Sequence, residues 1–393
     1  MHPVSDADPF SPAFFDDPFP VHAALRDAGP AVWLTRYGIW TVARHAEVRT
    51  VLLDWGTYCS RRGVGLSDFA REKPWRPPSL VLETDPPKHG RARIVLSRIL
   101  SAAALERLRD GLAAAADALV TRLLDLRDFD AVPAVAEAFP MQVFPDAVGL
   151  AQEGRENLLP YASTVFNVFG PRNALFEAAV RDAGPLNQWV AWACRRENLA
   201  PGGFGAGIHA AADAGELTAE EAPLVVRSLL TAGVDTTVSG IGAALHCLAR
   251  NPAQWACLRA GPGLARAAFE EALRYETPVQ TFFRTVNGGA TLGGVAMQDG
   301  DKVLMLLHAA NRDPRKWDDP DRYDIQRRTA GHVAYGAGTH VCAGMLLARM
   351  EGEALLSAMA RRIATLEIMA EPVRRHNNTL RALASLPLRV TAA

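Results

Sequence analysis

One short stretch, residues 335–344, restricts the possible folds of this chain more than any other. It reads Tyr-Gly-Ala-Gly-Thr-His-Val-Cys-Ala-Gly, and a helical pattern follows it. Glycine adopts positive φ and lets the backbone approach a flat group closely. Cys342 would lie at the start of the following helix, where free N–H groups favour a thiolate. The stretch predicts a cysteine presented to a metal or cofactor, whereas a lone cysteine in a turn would more often be an ordinary buried residue.

Composition limits the kinds of function that the chain can have. Its 393 residues are 49% hydrophobic and 22% charged, so they can bury a large core. The formal net charge of −1 provides no overall field that would attract nucleic acid or an anionic membrane. We therefore expect an enzyme of small molecules, with no nucleic-acid or membrane partner.

The cysteines and the first residues bear on the cellular compartment. The five cysteines are scattered and form no CxxC pair, which argues against disulfides, zinc and iron–sulfur sites. Residues 1–20 are rich in Asp and Pro and contain neither a basic leader nor a long apolar run. We expect a cytoplasmic protein.

The pattern along the chain predicts a mainly α fold with small β-sheets, in one domain over residues 1–393. No repeat or low-complexity linker divides the chain, and no GxGxxG follows a strand, so a built-in flavin or nicotinamide domain is not expected. Alternation predicts a hairpin of Val32–Thr35 and Ile39–Val42. The other predicted elements are helical stretches at about 86–125, 152–196 and 219–275, strands at Thr281–Val286, Ala290–Met297, Lys302–Leu307 and Leu386–Val390, and a last helix from after Cys342 to about Ile363.

A long helix is predicted over about 222–250, ~43 Å at 1.5 Å per residue. Its middle, residues 232–237, reads Ala-Gly-Val-Asp-Thr-Thr, which is weak in helix propensity. Glycine and hydroxyl side chains loosen the backbone ladder and can open a groove for dioxygen and water. The alternative is a simple kink in which the hydroxyls satisfy themselves.

The stretch at 335–344 resembles the haem-binding signature of the cytochromes P450, with Tyr335 where phenylalanine is usual. Other segments match the same family in the same order, over nearly the whole chain. The resemblance implies the P450 fold and haem b with Cys342 as the axial thiolate ligand. It also implies that the ExxR pair Glu271 and Arg274 forms a structural lock with Arg327. The residues that the resemblance assigns to haem binding are His89, Arg93, Arg284, Tyr335, Gly336 and His340.

The resemblance further makes Asp235 and Thr236 an acid–alcohol pair that delivers protons for oxygen activation. A monooxygenase that uses O₂ and two electrons needs such a relay. A haem-thiolate sensor or a fatty-acid peroxygenase does not, so the pair favours a monooxygenase.

A narrower resemblance connects the chain to bacterial P450s that oxidise para-substituted benzoates, such as 4-methoxybenzoate. It is carried by residues 61–69, 73–80, 227–230 and 278–285. It implies that the substrate carboxylate is held by Arg76, Ser79, Arg227 and Ser228. It implies that the ring is enclosed by Leu82, Phe166, Phe169, Ala232, Val279 and Phe282. The alternatives are that the arginines are solvated charges and the phenylalanines plain core, or that this is a P450 for another hydrophobic substrate.

We expect electrons to come from another protein, because these 393 residues leave no segment that would encode a reductase. The family resemblance implies a [2Fe–2S] ferredoxin supplied by a flavin reductase, with NAD(P)H as the ultimate source. Arg98 and Arg349 are candidates for meeting an acidic ferredoxin, and equally for simple solvated charges. We expect a monomer.

Overall fold

A computed structural model describes residues 2–393 and places about half of them in helices. The helices are α1 Pro12–Asp16, α2 Phe19–Ala28, α3 His45–Leu53, α4 Lys88–Ile99, α5 Ala102–Glu106, α6 Arg109–Leu126, α7 Ala138–Val148, α8 Leu158–Val168, α9 Ala174–Arg181, α10 Ala183–Ala193, α11 Phe204–Asp213, α12 Glu221–Ala232, α13 Asp235–Arg250, α14 Pro252–Ala260, α15 Ala265–Glu276, α16 Leu307–Asn311 and α17 Met345–Arg362.

The strands are short and come from distant parts of the chain. They are β1 Val4–Ser5, β2 Val32–Leu34, β3 Ile39–Val42, β4 Tyr58–Cys59, β5 Asp128–Asp130, β6 Thr281–Val286, β7 Ala290–Leu292, β8 Val295–Met297, β9 Lys302–Leu306, β10 Ile363–Ile368, β11 Val373–Arg375, β12 Ala382–Ser385 and β13 Pro387–Ala392. Six of them form one sheet in the order β1-β2-β3-β9-β6-β4, and three form a second sheet in the order β10-β13-β5. The predicted mainly α fold with small sheets is confirmed.

The predicted N-terminal hairpin is present, with β2 antiparallel to β3 and Trp33 opposite Trp40. β3 then pairs in parallel with β9, more than 250 residues later, and β9 pairs antiparallel with β6. The strand predicted over Ala290–Met297 is instead two strands, β7 and β8. Gly293 and Gly294 between them both have positive φ, which turns the chain back on itself.

The helix predicted over 222–250 is present but broken at Gly233 and Val234, between α12 and α13. A Cβ atom at Gly233 would lie 2.2 Å from Cζ of Phe144, so the Phe144 side chain of α7 packs directly against the backbone there. The hydroxyl of Thr236 donates to the Ala232 carbonyl (2.6 Å), and that of Thr237 donates to the Gly233 carbonyl (3.2 Å). These hydroxyls hydrogen-bond to carbonyls that would otherwise accept only backbone N–H groups, which contributes to the break between α12 and α13.

The segment Glu221–Arg250 is long and apolar enough to span a membrane, but 72% of its most apolar window is buried inside the protein. It is the core helix of the fold. α13 packs against α15 and α17, which lie on either side of the ligand loop in sequence. The loop of residues 335–344 and the break between α12 and α13 face the same space inside this core.

Candidate active site

An internal cavity joins the break in the central helix to the loop that precedes α17. Thr236 and Thr237 from the first turn of α13 line it, as do Tyr335 and Gly336. Cys342 is the one cysteine of residues 2–393 that lines this cavity. The same described residues contain no group of three or more His, Cys, Asp or Glu side chains that could hold a metal ion. The cavity therefore offers a single sulfur ligand.

The loop backbone fixes the position of Cys342. Its N–H donates to the Tyr335 carbonyl (2.8 Å). Gly338 has φ +68° and lies so close to α3 that a Cβ atom would be 3.0 Å from the Leu52 carbonyl oxygen. Burial raises the pKa of the Cys342 thiol, whereas the N–H groups of Gly344 and Met345 and the guanidinium of Arg93 lower it. A coordinated metal deprotonates a thiol outright, so the sulfur suits an iron ligand.

Two histidines lie together at one edge of the cavity, which His340 lines and His89 does not. The rings of His89 and His340 are 4.5 Å apart, and the Nε2 atom of each is buried without a hydrogen-bond partner among residues 2–393. Nδ1 of His340 faces the Val81 carbonyl at 3.2 Å, and Asp85 lies 3.5 Å from its Nε2 atom. Burial lowers the pKa of His89 to about 4. Two buried ring nitrogens without hydrogen bonds fit a polar group of a bound cofactor.

Two arginines line the cavity near these histidines. Arg93 donates to the Val341 carbonyl (2.6 Å) and Arg284 to the Phe283 carbonyl (2.9 Å). Neither guanidinium has a carboxylate within salt-bridge distance in the part of the chain that the structure describes. Burial lowers the pKa of Arg284 to about 10. Together with the histidines these are four donors that face a single carboxylate, Asp85, which leaves the two arginines free to bind the two propionates of haem.

The ExxR pair is brought together with its predicted third member. Arg274 and Glu271 are fully buried, with Nε to Oε2 at 2.7 Å and Nη2 to Oε1 at 2.8 Å. Arg327 completes the triad, with Nε 3.1 Å from Glu271 Oε1. Arg274 also donates to the carbonyls of Asn311 and Pro320, both at 2.9 Å. The triad therefore ties α15 to the segment that leads into the ligand loop.

The structure separates the acid from the alcohol of the predicted pair. Thr236 lines the cavity, whereas the Asp235 side chain is fully buried and does not contribute to the cavity lining. One Asp235 oxygen pairs with Nη2 of Arg375, and the other has no partner within the described chain. Burial raises the pKa of Asp235, and Arg375 opposes the shift. Because the Arg375 side chain is 30% exposed, the pair connects Asp235 to the surface.

The far end of the cavity is polar. Ser79 and Ser228 line it, and their hydroxyl oxygens are 3.0 Å apart. Arg76 also lines it, 3.5 Å from a Glu83 oxygen, with its Nε and Nη2 atoms lacking hydrogen-bond partners among residues 2–393. Arg227 lies behind this wall and donates to the Pro77 carbonyl (2.6 Å). Three of the four predicted carboxylate ligands therefore face the cavity directly.

Apolar side chains enclose the space between the two polar regions. The rings of Phe166 and Phe169 are 5.9 Å apart, as are those of Phe169 and Phe282. All six predicted ring-contacting residues line the cavity: Leu82, Phe166, Phe169, Ala232, Val279 and Phe282.

Comparisons with known proteins agree with this geometry. The family model for cytochrome P450 matches residues 263–389. The chain is 60% identical over 387 residues to "Cytochrome p450 CYP199A2" from Rhodopseudomonas palustris, which covers 98% of this chain and 94% of that protein. The chain is a cytochrome P450. This P450 is also 32% identical to "Cytochrome P450 107B1" from Saccharopolyspora erythraea, over 98% of both chains.

Solved structures agree on the fold of this P450. CYP109Q5 from Chondromyces apiculatus superposes with a TM-score of 0.83 at 30% identity, over 98% of both chains. CalO2 superposes with a TM-score of 0.86 at 28% identity, over the same share of each. Membership in the family makes the protein a monooxygenase that uses haem b with a cysteine thiolate ligand, O₂, and electrons delivered from NAD(P)H by partner proteins.

Arg98 and Arg349, the two candidates for binding an acidic ferredoxin, are both in ion pairs within this P450. Arg98 makes two hydrogen bonds of 2.9 Å to Glu216, and Arg349 makes bonds of 2.7 and 2.8 Å to Glu270. The Arg349 guanidinium carbon also lies 5.1 Å from the ring centroid of Tyr335. The Tyr335 hydroxyl is buried without a hydrogen-bond partner in residues 2–393, and burial, then Glu270, raises its pKa well above the usual value.

Sequence reasoning missed two charged groups of the site. Arg375 reaches Asp235 from 140 residues away, on β11, and no local pattern marks it. Glu83 pairs with Arg76 and accepts the Ser79 N–H at 2.7 Å. Its position four residues after Ser79 is a local signal that could have been used.

Proposed function

We propose that this P450 oxidises para-substituted benzoic acids, by O-demethylation of a methoxy group or hydroxylation of an alkyl group. The observation that carries the proposal is an excess of positive charge at the polar end of the cavity. Arg76 and Arg227 supply two cations there, and Glu83 supplies one anion.

The excess charge is costly without a ligand. Burial, then the neighbouring Arg76, lowers the pKa of the Arg227 guanidinium. Two nitrogens of Arg76 also lack hydrogen bonds, although one of them, Nη2, lies 3.5 Å from the Glu83 carboxylate. A buried cation of this kind is stabilised by an anion that accepts its hydrogen bonds. One carboxylate, held by Arg76 and the Ser79 and Ser228 hydroxyls, would balance the charge, with Arg227 acting from behind the wall.

The central helix sets the direction of the substrate. Ser228 precedes Ala232 by one turn, ~6 Å along the axis, and Thr236 lies a further turn away beyond the break. An anion at Ser228 would therefore lay its ring between the phenylalanines and point its para group at Thr236 and Cys342. Fixing the carboxylate determines which C–H bond reacts, because only the para group reaches the reacting centre.

The haem would be held by Cys342 through its iron and by His89, Arg93, Arg284 and His340 through its propionates, with Tyr335 and Gly336 in the ligand loop. Bound haem supplies the activation of O₂ at a thiolate-ligated iron. With haem bound, one oxygen atom would be inserted into a C–H bond of the para substituent, and the other would be reduced to water by two electrons and two protons.

Protons would reach the cavity through the protein's own side chains. The Thr236 hydroxyl, which donates to the Ala232 carbonyl, can accept a proton from one side and pass one on. Asp235 would take protons from solvent at the surface that Arg375 reaches, while the guanidinium, which keeps its own protons, holds the carboxylate in place. Electrons would come from a [2Fe–2S] ferredoxin and a flavin reductase. The P450 itself would be a monomer in the cytoplasm.

The test is an optical titration of the ferric protein with 4-methoxybenzoate and with neutral 4-methoxytoluene. A shift of the haem spectrum toward high spin with the acid, and a much weaker one with the neutral compound, supports the proposal. Preference for the neutral compound would refute the carboxylate anchor and favour a P450 for another hydrophobic substrate. A colourless protein would refute the cofactor assignment.

A further inference from the structure

A buried ammonium group lies at the centre of four backbone carbonyls, outside the cavity. Lys302, the first residue of β9, is 6% exposed. Its Nζ atom donates to the carbonyls of Arg62 (3.2 Å), Gly63 (3.2 Å), Gly65 (3.1 Å) and Ser67 (2.7 Å). An ammonium has three N–H groups for these four acceptors, so it is coordinated as a cation is. Ion channels bind potassium with rings of backbone carbonyls in the same manner.

A positive charge stabilises carbonyls that converge in this way. Their oxygens all point at one place, where their dipoles repel one another unless a cation lies between them. Burial lowers the pKa of Lys302 to about 8, and Asp68 opposes the shift. The four acceptors also favour the protonated form, which alone donates three hydrogen bonds. The other titratable groups around the ammonium are Cys59, Arg62 and Glu72.

The loop of residues 62–67 is connected directly to the cavity wall. The Leu66 N–H donates to the Phe169 carbonyl at 2.9 Å, and the Phe283 N–H donates to the Val64 carbonyl at 3.0 Å. Gly65 packs so tightly that a Cβ atom would lie 2.7 Å from both Cα and the carbonyl oxygen of Phe169. Phe169 lines the cavity between Phe166 and Phe282. A change in the loop would therefore move a ring of the cavity wall.

We propose that residues 62–67 form a monovalent-cation cradle, that the Lys302 ammonium fills it, and that this internal cation positions Phe169. Lys302 is thus a positioning residue for the cavity, acting through the loop. The cradle does not depend on the substrate proposed above, which enters only as one of the ligands that report on Phe169.

The test compares two variants of the ferric holoprotein. Lys302→Ala empties the cradle and leaves room for a small cation, whereas Lys302→Met fills the same space with an uncharged chain. Both are prepared in potassium chloride and moved to choline chloride of equal ionic strength, because choline is too large for the cradle. Amide hydrogen exchange of residues 60–70 is measured in each salt. Affinities for 4-methoxybenzoate and for imidazole, which binds the iron of any P450, are measured in parallel.

If the cradle exists, the amide hydrogens of residues 60–70 in the wild-type protein should exchange at the same rate in potassium chloride and in choline chloride. Lys302→Ala should exchange faster by about tenfold or more in choline, and potassium or ammonium should reverse most of that change. Lys302→Met should exchange fast in both salts. The 4-methoxybenzoate dissociation constant should follow the same pattern, and that of imidazole should move less.

The proposal fails if Lys302→Ala exchanges like wild type in choline, or if neither potassium nor ammonium slows its exchange. It also fails if the alanine variant does not fold in potassium while the methionine variant does. If the exchange pattern appears but wild type does not respond to 4-methoxybenzoate, the cradle stands and the substrate assignment falls.

Discussion

At the scale of single residues, buried ionisable side chains determine how the stability of this P450 depends on pH. Glu351 on α17 is fully buried, and both of its carboxylate oxygens lack a hydrogen-bond partner in residues 2–393. Its carboxyl faces the Thr237 hydroxyl, and burial raises its pKa from 4.5 to about 8. A carboxyl with a raised folded-state pKa binds more protons in the folded than in the unfolded protein between these values. Its contribution to stability is therefore lost as the pH rises through that range.

Glu351→Gln should remove this pH dependence, because glutamine is a neutral isostere. Its stability advantage over wild type should grow between pH 4.5 and 8 by up to ~1.4 kcal/mol per pH unit. Urea unfolding of the ferric protein across this range measures it. A constant difference between the two proteins at all pH values would contradict the assignment.

Arg76→Met should weaken 4-methoxybenzoate binding by about ten- to a hundredfold, since it removes the cation that faces the carboxylate. Binding of 4-methoxytoluene should change little. Arg98→Met, which removes an exposed arginine paired with Glu216, is the matched control. Equal losses for the acid and the neutral compound would show that Arg76 only packs.

At the scale of elements, the sequence indicated the helices with strong periodicity and the strands with clear alternation. α17 after the ligand loop and β6 at Thr281–Val286 are found as predicted. The glycine and hydroxyl residues at 232–237 predicted a weakened helix there, but the close contact of Phe144 with Gly233 was not predicted, because Phe144 comes from another helix. Arg375, which pairs with Asp235, was missed for the same reason: the contact is made only in the folded chain.

Gly233→Ala tests the cause of the break. Its Cβ atom would collide with the Phe144 ring, so we expect a loss of ~1–3 kcal/mol in unfolding free energy. Gly242→Ala in α13 is the matched control, because its nearest new contact is 3.9 Å away. That variant should be neutral or gain up to ~1 kcal/mol from helix propensity. Urea unfolding of both variants would separate the collision with Phe144 from the effect of helix propensity. Equal changes in unfolding free energy for the two variants would contradict the role of Phe144.

At the scale of the whole molecule, uncharged histidines are built into the interior. Burial lowers the pKa of His22 and His308 well below 6.5 and that of His246 to about 4. The rings of His22 and His308 are 5.1 Å apart. The unfolded chain therefore takes up more protons than the folded one below pH 6.5. The contribution of these histidines to stability is full above that pH and is lost as the pH falls.

The histidine contribution to the unfolding free energy should decrease from pH 6.5 downward, by up to ~1.4 kcal/mol per pH unit for each histidine, and it opposes the effect of the single group Glu351. Relative to wild type, His246→Phe should make the fall of unfolding free energy below pH 6.5 less steep by up to ~1.4 kcal/mol per pH unit. Urea unfolding between pH 5 and 7 measures the slopes. An unchanged slope in the variant would show that His246 does not titrate on unfolding.

The central claim is that a carboxylate anchor presents the para group of an aromatic acid to a thiolate-ligated haem. The most direct measurement is the product balance of 4-methoxybenzoate turnover with NADH, a [2Fe–2S] ferredoxin and its reductase. The account predicts one 4-hydroxybenzoate and one formaldehyde per NADH consumed, and no comparable turnover of 3-methoxybenzoate. Consumption of NADH without these products, or equal turnover of the meta isomer, would contradict it.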